Sequence, residues 1–222
     1  AAGDPLAEVQ TEAENGLAFA KRTQFGLIIQ FCGAQLGLIR TLRGLTPTLG
    51  CLDHNEYSEL DAERVLASNP NLATAEFFYW IRKLQARFMS GDIEMALDAS
   101  RSAHDLLWTL SHSETVEYRF CSALCHAAVC RSAPPGDRQQ HLEAMTAHQE
   151  QLKVWANNCP ENYENRVALV DAEIADLEGR ELEAERLYEQ AIRSARHNAF
   201  VQNEALAYEL AARFYAARGF EQ

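Results

Sequence analysis

The chain has 222 residues and a formal net charge of -12, with a pI near 5.0. An acidic chain is repelled by phosphate backbones and anionic lipids, so this charge argues against nucleic acid or a membrane surface as the main partner. Its six cysteines lack the paired spacing of secreted scaffolds, which predicts free thiols and a cytoplasmic location.

The first feature along the chain is the stretch FGLIIQFCGAQLGLIRTLRG at residues 25–44, which raises the question of a membrane span. The run without a charged residue, Thr23 to Ile39, is 17 residues long and contains three glutamines, whereas a span needs roughly 20 mostly apolar residues. Apolar residues recur at spacings of three and four, which predicts a helix covered by protein instead. Gly33 and Gly37 form a GxxxG pair that would let another segment approach closely.

The rest of the chain is also expected to be helical. Ala, Leu, Glu, Gln and Arg dominate it, and short breaks rich in Gly, Pro and Asn divide it. We predict helices near residues 5–22, 26–44, 56–68, 71–90, 92–110, 114–132, 137–157, 162–178, 181–197 and 202–218. Gly91, Gly179 and Gly219 are expected to end helices, and APPGD at 133–137 is expected to form a turn. Because no low-complexity linker interrupts the pattern, we predict a single domain over residues 1–222.

Two helix pairs share one spacing of small residues. After Gly91 and again after Gly179, small or aromatic residues follow at offsets 5, 9 and 12. The equivalent positions are Gly91 and Gly179, Ala96 and Ala184, Ser100 and Tyr188, and Ala103 and Ala191. These offsets match the tetratricopeptide (TPR) pattern, in which glycine ends helix A and small residues allow helix B to cross it closely. Glycines at 91, 136, 179 and 219 recur every 40 to 45 residues, so each repeat would exceed the usual 34. The alternative is a generic helical bundle.

The two ends of the chain contain a further internal match. AKRTQFGLI at residues 20–28 aligns with ARHNAFVQN at residues 195–203, each a basic helix end followed by Phe and a new helix. The first helix would then be a helix B and the last a helix A. We therefore expect a chain truncated in mid-repeat at both ends and cut from a longer protein.

Three segments carry a family resemblance: IRTLRGLTPTLG (39–50), YWIRKLQARFMSGD (79–92) and the long stretch at 154–221. They resemble the helical region of very large bacterial signalling proteins. In that family a serine/threonine-kinase-like domain, an AAA-type ATPase module, a TPR-like region, a GAF domain and a sensor histidine kinase follow one another. The resemblance implies a right-handed superhelix of about ten helices in antiparallel pairs. It also implies a non-catalytic regulatory scaffold that couples the ATPase and kinase modules or binds a partner protein.

The sequence offers little chemistry of its own. Phosphate-binding, zincin and serine-hydrolase motifs are absent from it, so we expect no enzyme activity and no cofactor. The one cluster that invites a metal or redox interpretation is CSALCHAAVC at residues 121–130. Cys121, Cys125 and His126 form the alternative thiol or metal site, although a second CxxC is missing and buried structural thiols are the simpler interpretation.

The TPR pattern also predicts which side chains face a partner. The inward positions of helix A form a first wall set before Gly91 and a second wall set before Gly179. The first wall set is Phe78, Ile81, Gln85, Phe88 and Met89, and the second is Arg166, Leu169, Glu173, Asp176 and Leu177. An apolar patch beside an acidic one would suit a basic amphipathic helix or a neighbouring domain of the parent chain. The alternative is that long A helices pack against each other at these positions.

The last helix should behave differently from the others. It carries Leu206, Leu210, Phe214 and Tyr215, and no helix B follows it in the sequence. We therefore expect an exposed apolar face there, or weak self-association through this helix.

Overall fold

A computed structural model describes residues 3–54, 57–109 and 112–219, and these segments are helical without any strand. The helices are α1 (Leu6–Arg22), α2 (Gly26–Leu42), α3 (Glu59–Ser68), α4 (Ala73–Ser90), α5 (Ile93–His104), α6 (His112–Cys130), α7 (Pro135–Asn158), α8 (Pro160–Leu177), α9 (Glu181–His197) and α10 (Val201–Ala216). They divide into two compact units, one of residues 4–122 and one that begins at Ala123, within α6. The all-α prediction and the ten predicted helices are confirmed, while a single domain over 1–222 stays a prediction.

Several predicted boundaries differ from the observed ones. The helix predicted for 92–110 ends at His104, and a single 3₁₀ turn follows at Leu107–Thr109. The turn predicted for APPGD is shorter than expected, because Pro135 already begins α7. Proline is favoured at the first helical position, where its missing N–H has no partner to lose. The predicted boundaries at residues 56 and 110 lie outside the described residues.

Glycines end the helices where the sequence placed caps. Gly91, Gly179 and Gly219 all have left-handed backbones, with φ of +79°, +76° and +79°. Gly44, after α2, has the same conformation with φ of +70°. After Gly44, Gly91 and Gly179, the next residue's amide donates to the carbonyl five residues earlier, over 2.8 to 3.0 Å. This is the Schellman motif, which satisfies carbonyls that a helix end would otherwise leave without a donor.

The same motif recurs without glycine at the two aligned segments. Gln24 and Ala199 are the non-glycine residues with left-handed backbones in the described part of the chain, with φ of +54° and +59°. Each precedes a phenylalanine, Phe25 or Phe200, whose amide donates to the carbonyl five residues back at 3.1 or 2.9 Å. The alignment of residues 20–28 with 195–203 thus corresponds to one shared backbone turn.

Small residues lie at the centre of two helical hairpins, α4–α5 and α8–α9. Only Gly91 and Asp92 separate α4 from α5, and three residues separate α8 from α9, so each pair must double back on itself. The six residues at the shared offsets are all buried: Ala96, Ser100 and Ala103 in α5, and Ala184, Tyr188 and Ala191 in α9.

Gly136 does not belong to the set of marker glycines. It lies in the first turn of α7, and its backbone has no positive φ. The regular spacing of 40 to 45 residues therefore mixes one helix start with three helix ends. The similarity between the hairpins therefore lies in their capped turns and not in an even glycine period.

The loop that follows helix α2 packs on its GxxxG pair. A Cβ added at Gly37 would lie 2.9 Å from Leu52 Cβ and 3.1 Å from the Leu52 carbonyl oxygen. A Cβ added at Gly33 would lie 2.6 Å from the ring of Tyr57. The predicted close approach is therefore made by the loop between α2 and α3. In the described residues, none of the helices combines the length and apolar character needed to cross a bilayer.

The apolar face of α10 does not lie open as predicted. Leu206, Leu210 and Phe214 are all at most 9% exposed, and Phe214 packs on Tyr188 of α9 with ring centroids 5.2 Å apart. The expectation of an exposed face on these residues is wrong, because they are buried within the unit. Tyr208 and Val201 remain exposed on this helix.

Candidate functional site

The first wall set lies on α4 within the 4–122 unit and is largely packed. Ile81 is completely buried. Phe78 is half-buried because Phe31 of α2 meets it edge-on at 4.6 Å, and the Arg82 guanidinium lies 4.1 Å from the centre of its ring. Packing of α2 against α4 therefore occupies this part of the predicted surface.

The C-terminal end of α4 is more accessible. Met89 is 46% exposed and Phe88 is half-buried. Gln85 is half-buried, and its amide donates to Glu117 of α6 at 3.1 Å. Of the first wall set, Met89 and Phe88 are therefore the side chains best placed to contact a partner.

The second wall set lies on α8 in the other compact unit. Arg166, Leu169 and Glu173 are 6%, 1% and 2% exposed, so they are interior residues and cannot contact a partner. Asp176 and Leu177 are half-buried. The TPR consensus positions are therefore mostly core positions here.

The acidic members of this second set are already paired. Glu173 accepts hydrogen bonds from the Tyr188 hydroxyl at 2.5 Å and from Arg131 at 2.7 Å. Asp176 accepts from Arg131 and, at 2.8 Å, from Arg218. Although burial lowers the pKa of Arg131, the two carboxylates together raise it above its ordinary value. The predicted acidic patch is thus neutralised inside the unit and is a poor site for a basic partner helix.

Among the described residues, the ligand atoms of Cys121, Cys125 and His126 do not converge in one metal-type group. Cys121, Cys125 and Cys130 are at most 4% exposed. Burial raises the pKa of Cys125 to about 12, which favours the protonated thiol at neutral pH. His126 points instead to His141 of α7, with 2.8 Å between their Nδ1 atoms. The simpler interpretation of these thiols, as buried apolar side chains, agrees with their burial.

The 4–122 unit contains a buried ionic network that was not predicted from the sequence. Lys83 Nζ lies 2.9 Å from a Glu59 carboxylate oxygen and 2.6 Å from Glu63. Glu59 also accepts the Leu52 amide at 2.6 Å and lies 3.3 Å from Arg87. Burial raises the pKa of Glu59, but the amide and the two cations outweigh it, so the pKa lies below its ordinary value. The signal available in the sequence was two glutamates four residues apart on one helix face.

One group of residues near this network has the ligand atoms of a metal site, but other groups of the protein already bind these atoms. Ligand atoms of Cys51, Asp53 and Glu59 lie within 4.8 Å of one another. Glu59 is held by two cations, and Asp53 accepts the Glu59 amide at 2.6 Å. A metal ion would have to displace Lys83 and Arg87 from Glu59, so these residues are better explained as the anchor of the loop before α3.

A groove of about 450 Å³ lies between α1, α2, α3 and the loop before α3. Its lining mixes apolar residues such as Leu17, Ile29 and Val65 with one cation, Lys21, and one anion, Asp61. This mixture favours no single class of ligand. The groove was not expected from the sequence, because its walls come from three helices and a loop.

No family model, curated protein or solved structure matches this chain.

Proposed function

We propose that this chain is a non-catalytic protein-interaction segment made of TPR-like helix pairs. In the finer form of the proposal, the pairs continue into a right-handed superhelix. The segment belongs to a large ATPase and sensor-kinase signalling protein, where it couples modules or binds a partner. This larger context is supported by the family resemblance of residues 39–50, 79–92 and 154–221.

The observation that carries the proposal is the recurrence of one capped hairpin. α4–α5 and α8–α9 each turn at a left-handed glycine, close with the same backbone hydrogen bond and bury small or aromatic residues at the same offsets. The connections α1–α2 and α9–α10 share a second turn, at Gln24 and Ala199. Repetition of one structural unit is typical of solenoid proteins, whose extended surfaces bind other proteins.

The surface proposed for contact is the accessible end of α4, around Phe88 and Met89. These are the apolar members of the first wall set that keep solvent contact at the helix end. Exposed methionine is adaptable and recurs at surfaces that accept varied partners. A helix with an apolar face, supplied by a neighbouring domain of the parent chain or by a separate protein, fits this surface.

Two exposed methionines provide a matched test. Met89 lies on α4 and is 46% exposed, while Met95 lies on α5 and is 39% exposed. The segments encoded immediately before and after this chain would be purified and titrated into it by calorimetry. We expect binding by at least one segment, weakened at least about tenfold by Met89→Glu and left nearly unchanged by Met95→Glu.

Two results would count against the proposal. One is the absence of measurable binding by either neighbouring segment. The other is an equal loss of affinity in Met89→Glu and Met95→Glu, because a solvent-facing position on a B helix should not matter to a site on an A helix.

A further inference from the structure

Three histidines gather on the facing sides of α6 and α7 in the unit that begins at Ala123. His126 comes from α6, and His141 and His148 come from α7. Since His141 and His148 are seven residues apart, they occupy one face of that helix. The His148 ring stacks on His126 with centroids 6.0 Å apart, and His148 is only 7% exposed.

The contact between the first two rings is close and specific. The Nδ1 atoms of His126 and His141 are 2.8 Å apart, and the ring centroids are 5.1 Å apart with planes inclined by 47°. Without a metal ion, one imidazole must donate and the other accept. The contact therefore brings two imidazole nitrogens from two different helices within hydrogen-bonding distance of each other.

We propose that His126 and His141 form a binding site for a late first-row divalent metal ion, of which Zn²⁺ is the representative. Neutral imidazole is a preferred ligand of Zn²⁺, Cu²⁺ and Ni²⁺. Two nitrogens at 2.0–2.1 Å from a tetrahedral zinc ion lie about 3.3 Å apart, so the separation has to increase by about 0.5 Å and each ring has to turn its Nδ1 lone pair toward the ion.

The proton balance of binding is simple. In the neutral pair, one imidazole carries its proton on Nδ1 and donates it to the other. For both Nδ1 atoms to face the metal, that proton moves to Nε2 of the same ring through solvent, and no net proton is released. His126 and His141 are half-buried, so solvent reaches the pair. Water completes the coordination.

Asparagine substitutions separate this site from a purely structural hydrogen bond. An asparagine amide occupies nearly the position of Nδ1, so His126→Asn or His141→Asn preserves a hydrogen bond across the helices but removes a strong metal ligand. His197→Asn is a matched control, because His197 is an exposed histidine on α9 in the same unit. Cys51→Ser controls for the thiol and carboxylate group near α3.

The experiment is a calorimetric titration of tag-free protein with ZnCl₂. We expect one Zn²⁺ per chain, an affinity at least about tenfold lower in either His126→Asn or His141→Asn, and no change in His197→Asn or Cys51→Ser. If an asparagine variant does not fold, imidazole ¹⁵N spectra of the wild-type chain provide the readout, since Zn²⁺ must shift Nδ1 of both His126 and His141.

Three results would overturn the proposal. The wild-type chain could bind no Zn²⁺, or both asparagine variants could bind it as tightly as the wild type. The third is loss of binding in Cys51→Ser together with its retention in His126→Asn, which would place the ion at the thiol group.

Discussion

Replacing Gly179 with alanine tests the capped hairpin at an exposed residue. Gly179 has φ of +76°, and an added Cβ would meet no atom within 4 Å. The substitution therefore changes only the backbone preference, without a steric clash. Its effect on stability measures how much the turn between α8 and α9 depends on a left-handed residue.

The magnitude follows from two opposing contributions. A side chain in the left-handed region costs about 1–2 kcal/mol. Alanine has fewer conformations than glycine in the unfolded chain, and this difference stabilises the fold by about 0.4–1 kcal/mol. We therefore expect Gly179→Ala to lower the free energy of unfolding by about 1 kcal/mol. The reverse change, Ala199→Gly, should raise it by a similar amount, because Ala199 has φ of +59°.

Gly136→Ala is the matched control. Gly136 also has open space around its Cβ position, but it lies inside the first turn of α7. There alanine is compatible with the backbone, so the variant should be more stable by about 0.5 kcal/mol. Urea unfolding followed by far-UV circular dichroism measures all three variants. If Gly179→Ala and Gly136→Ala change stability in the same direction, the assignment of Gly179 as a left-handed cap is refuted.

Four further predictions concern packing and charge. Ala184→Leu should overpack the crossing of α8 and α9, where Ala184 has no exposed area, and lower the unfolding free energy by roughly 1–3 kcal/mol; an unchanged thermal melt would argue against the repeat register. Gly37→Ala should be destabilising by a similar amount because its Cβ would lie 2.9 Å from Leu52 Cβ. Gly26→Ala, with open space in the first turn of α2, should instead be stabilising by about 0.5 kcal/mol in the same urea titration, as for Gly136→Ala. Lys83→Met should lower the unfolding free energy by about 3 kcal/mol, since it removes a cation from the buried network. Because the pKa of Glu59 in the fold lies below its ordinary value of 4.5, the ionised carboxylate stabilises the fold at pH values above 4.5. This contribution to the unfolding free energy is lost as the pH falls below 4.5 and through the lowered pKa. An unfolding free energy that stays constant through this acid range would contradict the assignment.

Helix positions were accessible from the sequence because their determinants are local. Glycine tolerates the left-handed backbone, so Gly91 and Gly179 could be identified as helix ends without knowledge of any tertiary contact. The buried offsets at Ala184 and Ala191 were equally accessible, since close helix crossing requires small side chains. Gly136 shows the limit of this reasoning, because the sequence alone does not distinguish a glycine in the first turn of a helix from a glycine that ends a helix.

The surface could not be derived in the same way. Consensus inward positions do not reveal what lies over them, and Phe31, far away in sequence, covers Phe78. Glu173 has an acidic side chain in an acidic stretch, yet Tyr188 of α9 and Arg131, the residue after α6, pair with it. Such partners depend on tertiary packing, which the local spacing of residues does not encode.

The most direct test of the interaction proposal is amide hydrogen exchange of the chain, with and without the neighbouring segments of the parent protein. We predict slower exchange on binding around Phe88 and Met89 at the C-terminal end of α4. The outer face of α5 around Met95 should exchange at an unchanged rate. Unchanged exchange throughout α4, or protection confined to α5, would contradict the account.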